Sequence, residues 1–220
     1  MSNNISNLYS RILKDIKNMK KPLVIGINGA YTSGKTVFAT GFQQHLNGLG
    51  VKTQLIHYDD FHNPFNTINF TDETEIDTFY NHAFNSKKLI DEILEPLKAQ
   101  GFLDKKIACV NLGTGEYTNN IHFKIDENTV VLLEGVLILR PPVIDYLDYK
   151  IYLDISSDEI LRRGEMRDVP KFGTHILEKF VTRYIPVQEK YTAEHNPQKA
   201  ADIVIDNNDY SAPKILCYDY

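Results

Sequence analysis

One short stretch carries residue types whose spacing suits phosphate chemistry. Its eight residues fit the pattern G-x-x-x-x-G-K-[ST] and are Gly29, Ala30, Tyr31, Thr32, Ser33, Gly34, Lys35 and Thr36. Glycines let the backbone curl until several N–H groups point at one anion. Lys35 can reach the β- and γ-phosphates, and the Thr36 hydroxyl is a ligand for Mg²⁺. We therefore predict that these residues form a phosphate loop that binds a nucleoside triphosphate.

The residues on either side of this loop provide the context that the chemistry requires. Before it, Leu23 to Ile27 is apolar enough for a strand buried on both faces. After it, an apolar stripe predicts a helix whose N-terminal end adds positive potential at the phosphates. The stripe consists of Val37, Phe38, Phe42 and Leu46. A chance glycine-rich turn would not be expected to sit between these two elements.

Carboxylates follow two further predicted strands. Asp59 and Asp60 come after the strand predicted from Val51 to His57, and Glu134 comes after the apolar run that begins at Val130. Phosphoryl transfer to an alcohol needs a carboxylate that orients the hydroxyl and accepts its proton, and Asp59 is our candidate for that general base. Asp60 could instead bind a substrate hydroxyl, and either aspartate could belong to a solvated turn or a helix cap.

Glu134 helps to separate kinases from other nucleotide-binding proteins. It is followed by Gly135, so the strand ends in a single acid that can help hold Mg²⁺ but lacks a neighbouring carboxylate to activate water. That favours transfer to a bound acceptor over hydrolysis, although Glu134 could also be a surface acid. The sequence contains neither of the motifs Asn/Thr-Lys-x-Asp and Asp-x-x-Gly that a GTPase would show.

Three arginines lie within six residues, at Arg162, Arg163 and Arg167. The last two share a helix face by their i, i+4 spacing. Guanidinium groups beside a transferring phosphoryl group stabilise its charge, so we predict that Arg163 and Arg167 act in catalysis and that Arg162 contacts the nucleotide. Surface pairing with Asp158, Glu159 or Glu165 is the alternative.

The elements that must position these residues alternate between apolar strands and helices. This order predicts an α/β fold with a mainly parallel sheet and helices on both faces. Ser86 is expected to cap a helix that Pro96 kinks or ends, and Ser156 to Glu159 has the form of a capping box. We expect a hairpin around the glycine-rich turn between residues 112 and 121, a helix kink at Pro186, and a last strand from Asp202 to Ile205.

Composition limits the possible partners. The net charge of −5 argues against broad binding to nucleic acid or to an anionic membrane. Only Cys109 and Cys217 are present, which is too few for a disulfide framework, and no apolar run reaches the length of a membrane span. We therefore expect a cytoplasmic protein with a small-molecule substrate, and the sequence does not indicate an oligomeric state. The spacing of His62, His82 and His122 fits no standard metal site.

Taken together, the motifs resemble those of the uridine kinase and nicotinamide riboside kinase group of P-loop kinases, to which phosphoribulokinase is more distantly related. The resemblance rests on residues 29–36, on Tyr58-Asp59-Asp60-Phe61 and on Leu133-Glu134-Gly135. It implies a P-loop NTPase fold with a five-stranded sheet, a mobile helical lid and ATP with Mg²⁺. It also implies Asp59 as general base, Lys35 as phosphate clamp, and Thr36 with Glu134 as metal ligands.

The same resemblance suggests an organisation for the whole chain. Residues 1–220 would form a single kinase domain, with a lead-in helix within 1–21, an acceptor-side insert from 61–85 and 111–125, and a lid at 156–173. The expected acceptor is the primary hydroxyl of a nucleoside such as uridine. Nicotinamide riboside, pantothenate or a sugar are alternatives, and a regulatory protein that binds ATP without transferring phosphate is another.

Overall fold

The apolar run at Leu23 forms the centre of a six-stranded sheet. The computed structural model describes residues 3–68 and 73–218, so residues 69–72 of the predicted insert, residues 1 and 2 of the predicted lead-in segment, and the last two residues lie outside the described part. In spatial order the strands are β2 (Thr53–His57), β5 (Val130–Gly135), β1 (Leu23–Gly29), β6 (Tyr149–Asp154), β7 (Ile203–Asp206) and β8 (Lys214–Tyr218).

Five of these strands run parallel and confirm the predicted α/β sheet with helices on both faces. The sixth strand, β8, pairs antiparallel with β7, so the sheet has one strand more than the expected five. The strand predicted from Asp202 to Ile205 is confirmed as β7, but it is not the last. β8 is an edge strand, and its residues Ile215 and Leu216 are both exposed. Its sequence therefore lacks the alternation of apolar and polar residues by which a half-buried strand is detected.

One face of the sheet is covered by α1 (Asn3–Ile16) and α2 (Lys35–Gly48). The predicted lead-in helix packs on this domain, because Leu8, Ile12 and Ile16 are buried against the sheet and α2. Val37 does not belong to the buried stripe of α2, since it is 78% exposed. Phe38, Phe42 and Leu46 follow one another every four residues, whereas Val37 is rotated by one residue out of that line.

The opposite face carries the predicted acceptor-side insert and several further helices. They are α3 (Glu75–His82), α4 (Ser86–Leu89), α5 (Glu95–Gln100), α8 (Ile185–His195), α9 (Pro197–Ala200), and the predicted hairpin, which is confirmed as β3 (Leu103–Asn111) and β4 (Glu116–Ile125). Side chains from these elements and from the sheet form one large core. Helix α6 (Ser157–Phe172) and the short α7 (Ile176–Lys179) lie over the end of the sheet near the phosphate loop.

Two prolines were predicted to disturb helices: Pro96 to kink or end one, and Pro186 to kink one. Both helices continue past their proline. A π-helical turn, Ile90–Leu94, joins α4 to α5 ahead of Pro96, and a second one, Phe180–Tyr184, joins α7 to α8 ahead of Pro186. Proline lacks an N–H group and its ring clashes with the carbonyl four residues earlier. A π turn lets the chain donate to the fifth residue back, so the helix continues through a local widening.

The helix starts follow the expected capping chemistry with one shift. The Ser156 side chain accepts a hydrogen bond from the Glu159 N–H at the start of α6, as predicted. The cap of α4 is Asn85 and not Ser86, because the Asn85 side chain accepts from the Lys88 N–H and Ser86 is already helical. Residues 61–85, which show no clear period, contain a 3₁₀ turn at Phe65–Thr67 and the helix α3.

The topology explains why the chemical residues meet. Strand β5 lies between β1 and β2, and in the register His57 pairs with Glu134 while Asn28 pairs with Gly135. The phosphate loop follows β1, and Asp59 follows β2. The carboxyl ends of three parallel strands therefore bring the loop and both acidic positions to the same edge of the sheet.

Candidate active site

The phosphate loop has the backbone conformation that its glycines permit. A Cβ atom on Gly29 would lie 2.6 Å from the carbonyl oxygen of Leu153, so only glycine fits there. Gly34 has a φ of 89° and leads directly into α2, whose N-terminal N–H groups then face the loop. The Asn207 side chain donates to the Ser33 carbonyl at 2.7 Å, which ties the loop to the end of β7.

Lys35 lies under the loop with only 9% of its surface exposed. Its ammonium donates to the Ala30 carbonyl at 2.9 Å, inside the same loop. Burial lowers the pKa of Lys35, whereas the negative charges of Glu134 and Asp59 work in the opposite direction. The lysine is thus held where it can exchange a backbone carbonyl for a phosphate oxygen.

Glu134 connects three elements of the site. It is 4% exposed, accepts a hydrogen bond from the Thr36 hydroxyl at 3.0 Å, and lies 2.7 Å from Nδ1 of His57. Burial would raise the pKa of Glu134, but the hydrogen bond with His57 and the charge of Lys35 outweigh it and lower the pKa. The pKa of His57 is raised, first of all by the same hydrogen bond. Glu134 therefore stays ionised next to Thr36.

An oxygen-donor set of this kind fits Mg²⁺. Among the described residues there is no group of three or more His, Cys, Asp or Glu side chains that could hold a metal ion alone. Mg²⁺ in kinases is held by one or two protein oxygens together with phosphate oxygens and waters. The Thr36 hydroxyl and the Glu134 carboxylate, 3.0 Å apart, provide two such oxygens beside the loop.

The two aspartates after β2 differ in their surroundings. Asp59 and Asp60 both lie in a 3₁₀ turn, Tyr58–Phe61, and Asp59 is exposed whereas Asp60 is half-buried. Burial raises the pKa of Asp60, and the charges of Asp59 and Glu134 raise it further, although His57 opposes this. The negative charge of Asp59 acts to raise the pKa of both Tyr31 and Lys35 in the loop.

The three arginines of α6 have different positions. Arg162 is on the surface, where it pairs with Glu159 and does not reach the loop. Arg163 is nearly buried, and it donates to the carbonyls of Asn207 and Asn208 at 2.6 and 2.8 Å. It thereby fastens α6 to the turn after β7.

Arg167 forms an ion pair with its neighbour Asp168. Its hydrogen bonds with Asp168 raise its pKa, and its charge acts on Lys35 and Tyr31 in the loop. The charge of Arg167 thus acts on two residues of the loop, Arg163 donates to the Thr32 carbonyl of the loop at 3.4 Å, and Arg162 remains on the surface with Glu159.

An aromatic wall stands beside Asp59 on the acceptor side. It consists of Tyr31 from the phosphate loop, His62, Phe79, Phe84 and Tyr184. Tyr31 stacks on Tyr184 with ring centroids 4.2 Å apart. His62 lies 4.2 Å from Phe84, again between ring centroids. The two parts of the predicted insert also touch, since the Asn85 amide donates to the Tyr117 hydroxyl at 3.1 Å.

Four buried side-chain polar atoms lack a hydrogen-bond partner in the described part of the chain, and three of them border this site. They are the hydroxyls of Tyr31 and Ser33, Nδ1 of His62, and, on α3, the hydroxyl of Thr78. Burial lowers the pKa of His62, and its ring bonds the Ala83 carbonyl. Since that bond must come from Nε2–H, Nδ1 of the neutral ring is a free acceptor. Unpaired buried groups are costly, so such a cluster favours a polar ligand.

Sequence reasoning missed several residues that shape the site. His57 supports Glu134, Asn207 holds the loop, and Tyr31 contributes its ring to the acceptor side rather than only its backbone to the phosphates. His57 is the last residue of a predicted strand, which is a position where a functional side chain is common. Nothing in the sequence says that β2 pairs with β5, so its partner could not be found.

Known proteins resemble this chain in sequence. The model of the phosphoribulokinase / uridine kinase family matches residues 24–211. A uridine kinase of Bacillus subtilis is 30% identical over 195 residues, which cover 84% of this chain and 86% of that protein. A uridine kinase of Anoxybacillus flavithermus is 28% identical with the same coverage.

A solved structure agrees in fold. The structure of a possible uridine kinase from Bacillus stearothermophilus has a TM-score of 0.69 at 23% identity and covers 90% of this chain and 97% of its own. No helix in the part of the chain described by the structure is long and apolar enough to cross a membrane. The chain therefore belongs to the phosphoribulokinase / uridine kinase family and is an ATP-dependent kinase that uses Mg²⁺.

Proposed function

We propose that this kinase transfers the γ-phosphoryl group of ATP to the primary hydroxyl of a nucleoside, uridine being the first candidate. The observation that carries the proposal is the position of Asp59, an exposed carboxylate in the turn directly after β2 whose negative charge acts to raise the pKa of the phosphate-loop Lys35. The relatives named uridine kinase, which match 84% of the chain at about 30% identity, support the choice of acceptor.

In the proposed mechanism each residue has one task. Thr36 and Glu134 would hold Mg²⁺, which neutralises charge on the β- and γ-phosphates when bound. His57 keeps the Glu134 carboxylate in place through its hydrogen bond. Lys35 and Arg167 add positive charge at the transferring group, and Asp59 orients the acceptor hydroxyl and takes its proton. Arg163 holds α6 against the loop.

The acceptor side favours a molecule with several hydroxyl groups. Tyr31 offers an unpaired O–H donor and His62 an unpaired nitrogen acceptor, and both side chains lie against Phe79. A second hydroxyl next to the phosphorylated one could accept from Tyr31 and donate to His62. A ribose or another sugar provides such neighbouring hydroxyls, and the aromatic wall can pack against its ring or base.

We place this activity in the cytoplasm with no nucleic-acid or membrane partner. The donor would be ATP with Mg²⁺, and the buried Cys109 suits a reducing compartment. The net charge of −5 gives no general attraction to polyanions.

The test is a product assay with a panel of acceptors. Purified protein with Mg·ATP would be incubated with nucleosides, nicotinamide riboside, pantothenate and sugars, and phosphorylated products would be identified by mass spectrometry. We expect uridine or another nucleoside to give the highest kcat/KM. The Lys35→Ala variant should make no product, which excludes a contaminating kinase. A sugar or pantothenate as the best acceptor, with nucleosides inert, would refute the nucleoside assignment while leaving the kinase chemistry intact.

A further inference from the structure

A second cavity lies behind the acceptor-side wall. Its volume is about 340 Å³, and it is bounded by α3, the last turn of α8 and the segment that follows β5. The described residues that line it include no residue of the phosphate loop or α6, and neither Asp59 nor Glu134. Helix α8 starts at Ile185, beside Ala30, and ends at His195 in this cavity. The ten residues between them, at about 1.5 Å each, place the two ends of this helix about 15 Å apart.

The cavity carries positive charge. Arg140 stands in its wall, with its guanidinium 4.1 Å from the Tyr80 ring and one nitrogen donating to the Tyr80 carbonyl at 2.6 Å. Among the described residues no carboxylate forms an ion pair with Arg140, and no aspartate or glutamate lines the cavity. Glu194 lies beside it, where its carboxylate accepts a hydrogen bond from the Tyr80 hydroxyl at 2.8 Å and is 3.9 Å from Nε2 of His195. Burial lowers the pKa of His195, and the nearby Arg140 charge lowers it further. In a chain with a net charge of −5, this combination is unusual.

The remaining walls combine neutral polar groups with apolar surface. Ser86, Asn81 and the Tyr58 ring lie on one side, and Leu137, Pro142 and Val143 on the other. The bond to Tyr80 uses one of the five N–H donors of a guanidinium, whose fork geometry matches carboxylate and phosphate oxygens. We propose that this cavity is a second binding site, for a small organic anion that joins a carboxylate or phosphate group to an apolar body.

Side chains that lie between the two sites couple the binding of this ligand to the binding of the acceptor. Tyr58 lines the cavity and directly precedes Asp59, while Tyr80 lines it and directly follows Phe79. Phe84 stacks on Tyr58 with centroids 4.5 Å apart and meets His62 at 4.2 Å. A ligand in the cavity would contact Tyr58, Tyr80 and Phe84, which pack against or belong to the aromatic wall. The KM for the acceptor should therefore change, while the KM for ATP stays constant.

Calorimetric titration tests the binding without any turnover, so its outcome is independent of the proposed function. The probes are phenyl phosphate and benzoate, with phenol as the neutral control, and Mg·ADP is present to occupy the phosphate loop. We expect phenyl phosphate, benzoate or both to bind saturably, and phenol to bind much more weakly. Binding of phenyl phosphate alone would identify a phosphate monoester, and binding of both would show that either oxyanion is accepted.

Two variants locate the binding. Arg140→Gln should weaken it by about tenfold or more, because a charge-assisted hydrogen bond is lost. His195→Ala removes a hydrogen-bonding ring from the same wall and should weaken the binding less than Arg140→Gln does, and it serves alone if the Arg140 variant does not fold. The proposal is overturned if neither probe binds, or if both variants fold and bind the probes as well as the unchanged protein.

Discussion

Around the phosphate loop, hydrogen bonds join neighbouring strand ends, whereas around the acceptor, packed rings join distant segments. Thr36, His57 and Glu134 form a short chain of bonds at the ends of β2 and β5 and the start of α2. On the acceptor side Tyr31, His62, Phe79 and Tyr184 come from four separate elements and leave polar atoms without partners.

This difference follows from what each side must recognise. Every ATP molecule presents the same phosphates, so a preformed and hydrogen-bonded frame suits the donor. Acceptors vary, and discrimination among them depends on buried polar groups that only the correct hydroxyl satisfies. Apart from the Ser33 hydroxyl, the donor side is hydrogen-bonded within the protein, whereas we expect the acceptor to supply the partners that Tyr31 and His62 lack. The predictions below test that contrast.

The first change breaks the hydrogen-bonded frame on the donor side. Glu134→Gln removes the negative charge beside Thr36, and we expect kcat to fall by about 10²–10³. The Mg²⁺ concentration for half-maximal activity should rise as well, since a ligand is weakened. Steady-state assays over a range of Mg²⁺ concentrations measure both. An unchanged Mg²⁺ dependence and rate would remove Glu134 from the metal site.

Two neighbouring arginines offer a matched comparison of stability. Arg163→Ala leaves the carbonyls of Asn207 and Asn208 without their donor, so we expect a loss of about 1–3 kcal/mol in the free energy of unfolding. Arg162→Ala removes a surface pair with Glu159 and should cost less than about 1 kcal/mol. Urea denaturation of both variants checks this. Equal losses would mean that Arg163 is not the residue that fastens α6.

The acceptor side can be tested with a modified substrate. Tyr31→Phe keeps the ring stacked on Tyr184 but removes the unpaired hydroxyl. We expect kcat/KM for the best acceptor to fall about tenfold, which corresponds to one lost hydrogen bond. Acceptor analogues that each lack one hydroxyl provide the complementary change on the substrate. For the analogue missing the hydroxyl that Tyr31 contacts, variant and unchanged protein should react equally well.

If Tyr31→Phe lowers kcat/KM for all acceptors by the same factor, the ring packs in the site but its hydroxyl does not recognise a particular hydroxyl of the acceptor. That result would weaken the contrast between the two sides. It would leave the donor-side assignments unaffected, because Tyr31 makes no hydrogen bond to Lys35, Thr36 or Glu134 within the described residues.

The smallest effect concerns pH. Burial lowers the pKa of His62 in the folded protein. Below about pH 6.5 this histidine therefore binds a proton in the unfolded chain more readily than in the folded protein. Folding stability should therefore decrease as the pH falls through this range. His62→Gln lacks the group and should show a shallower decrease from pH 8 to pH 5 in thermal unfolding. Parallel curves for the two proteins would contradict the buried neutral ring.

How far the sequence reveals this site depends on how local each feature is. The phosphate loop is contiguous, and Asp59 and Glu134 each follow an apolar strand, so their positions at one sheet edge could be predicted. The five parallel strands followed from the same alternation of elements. The pairing of His57 with Glu134 needs the order of strands in space, which periodicity does not contain.

The aromatic wall was harder to predict for a related reason. Phe79 and Tyr184 are more than a hundred residues apart and meet because α3 packs beside the π turn before α8. Proline at position 186 suggests a kink but not the widened turn that keeps the helix intact. Arg162 and Arg163 are adjacent in sequence, yet Arg162 is on the surface whereas Arg163 donates to backbone carbonyls.

The proposed mechanism depends most of all on Asp59 as the general base, and the adjacent Asp60 provides the control. With the best acceptor from the panel, Asp59→Asn should lower kcat by about 10²–10⁴ while the KM for ATP changes little. Asp60→Asn, which changes the half-buried carboxylate of the same turn, should have a much smaller effect. An Asp59→Asn variant that phosphorylates the acceptor at the unchanged rate would contradict the mechanism, and so would a loss confined to Asp60→Asn.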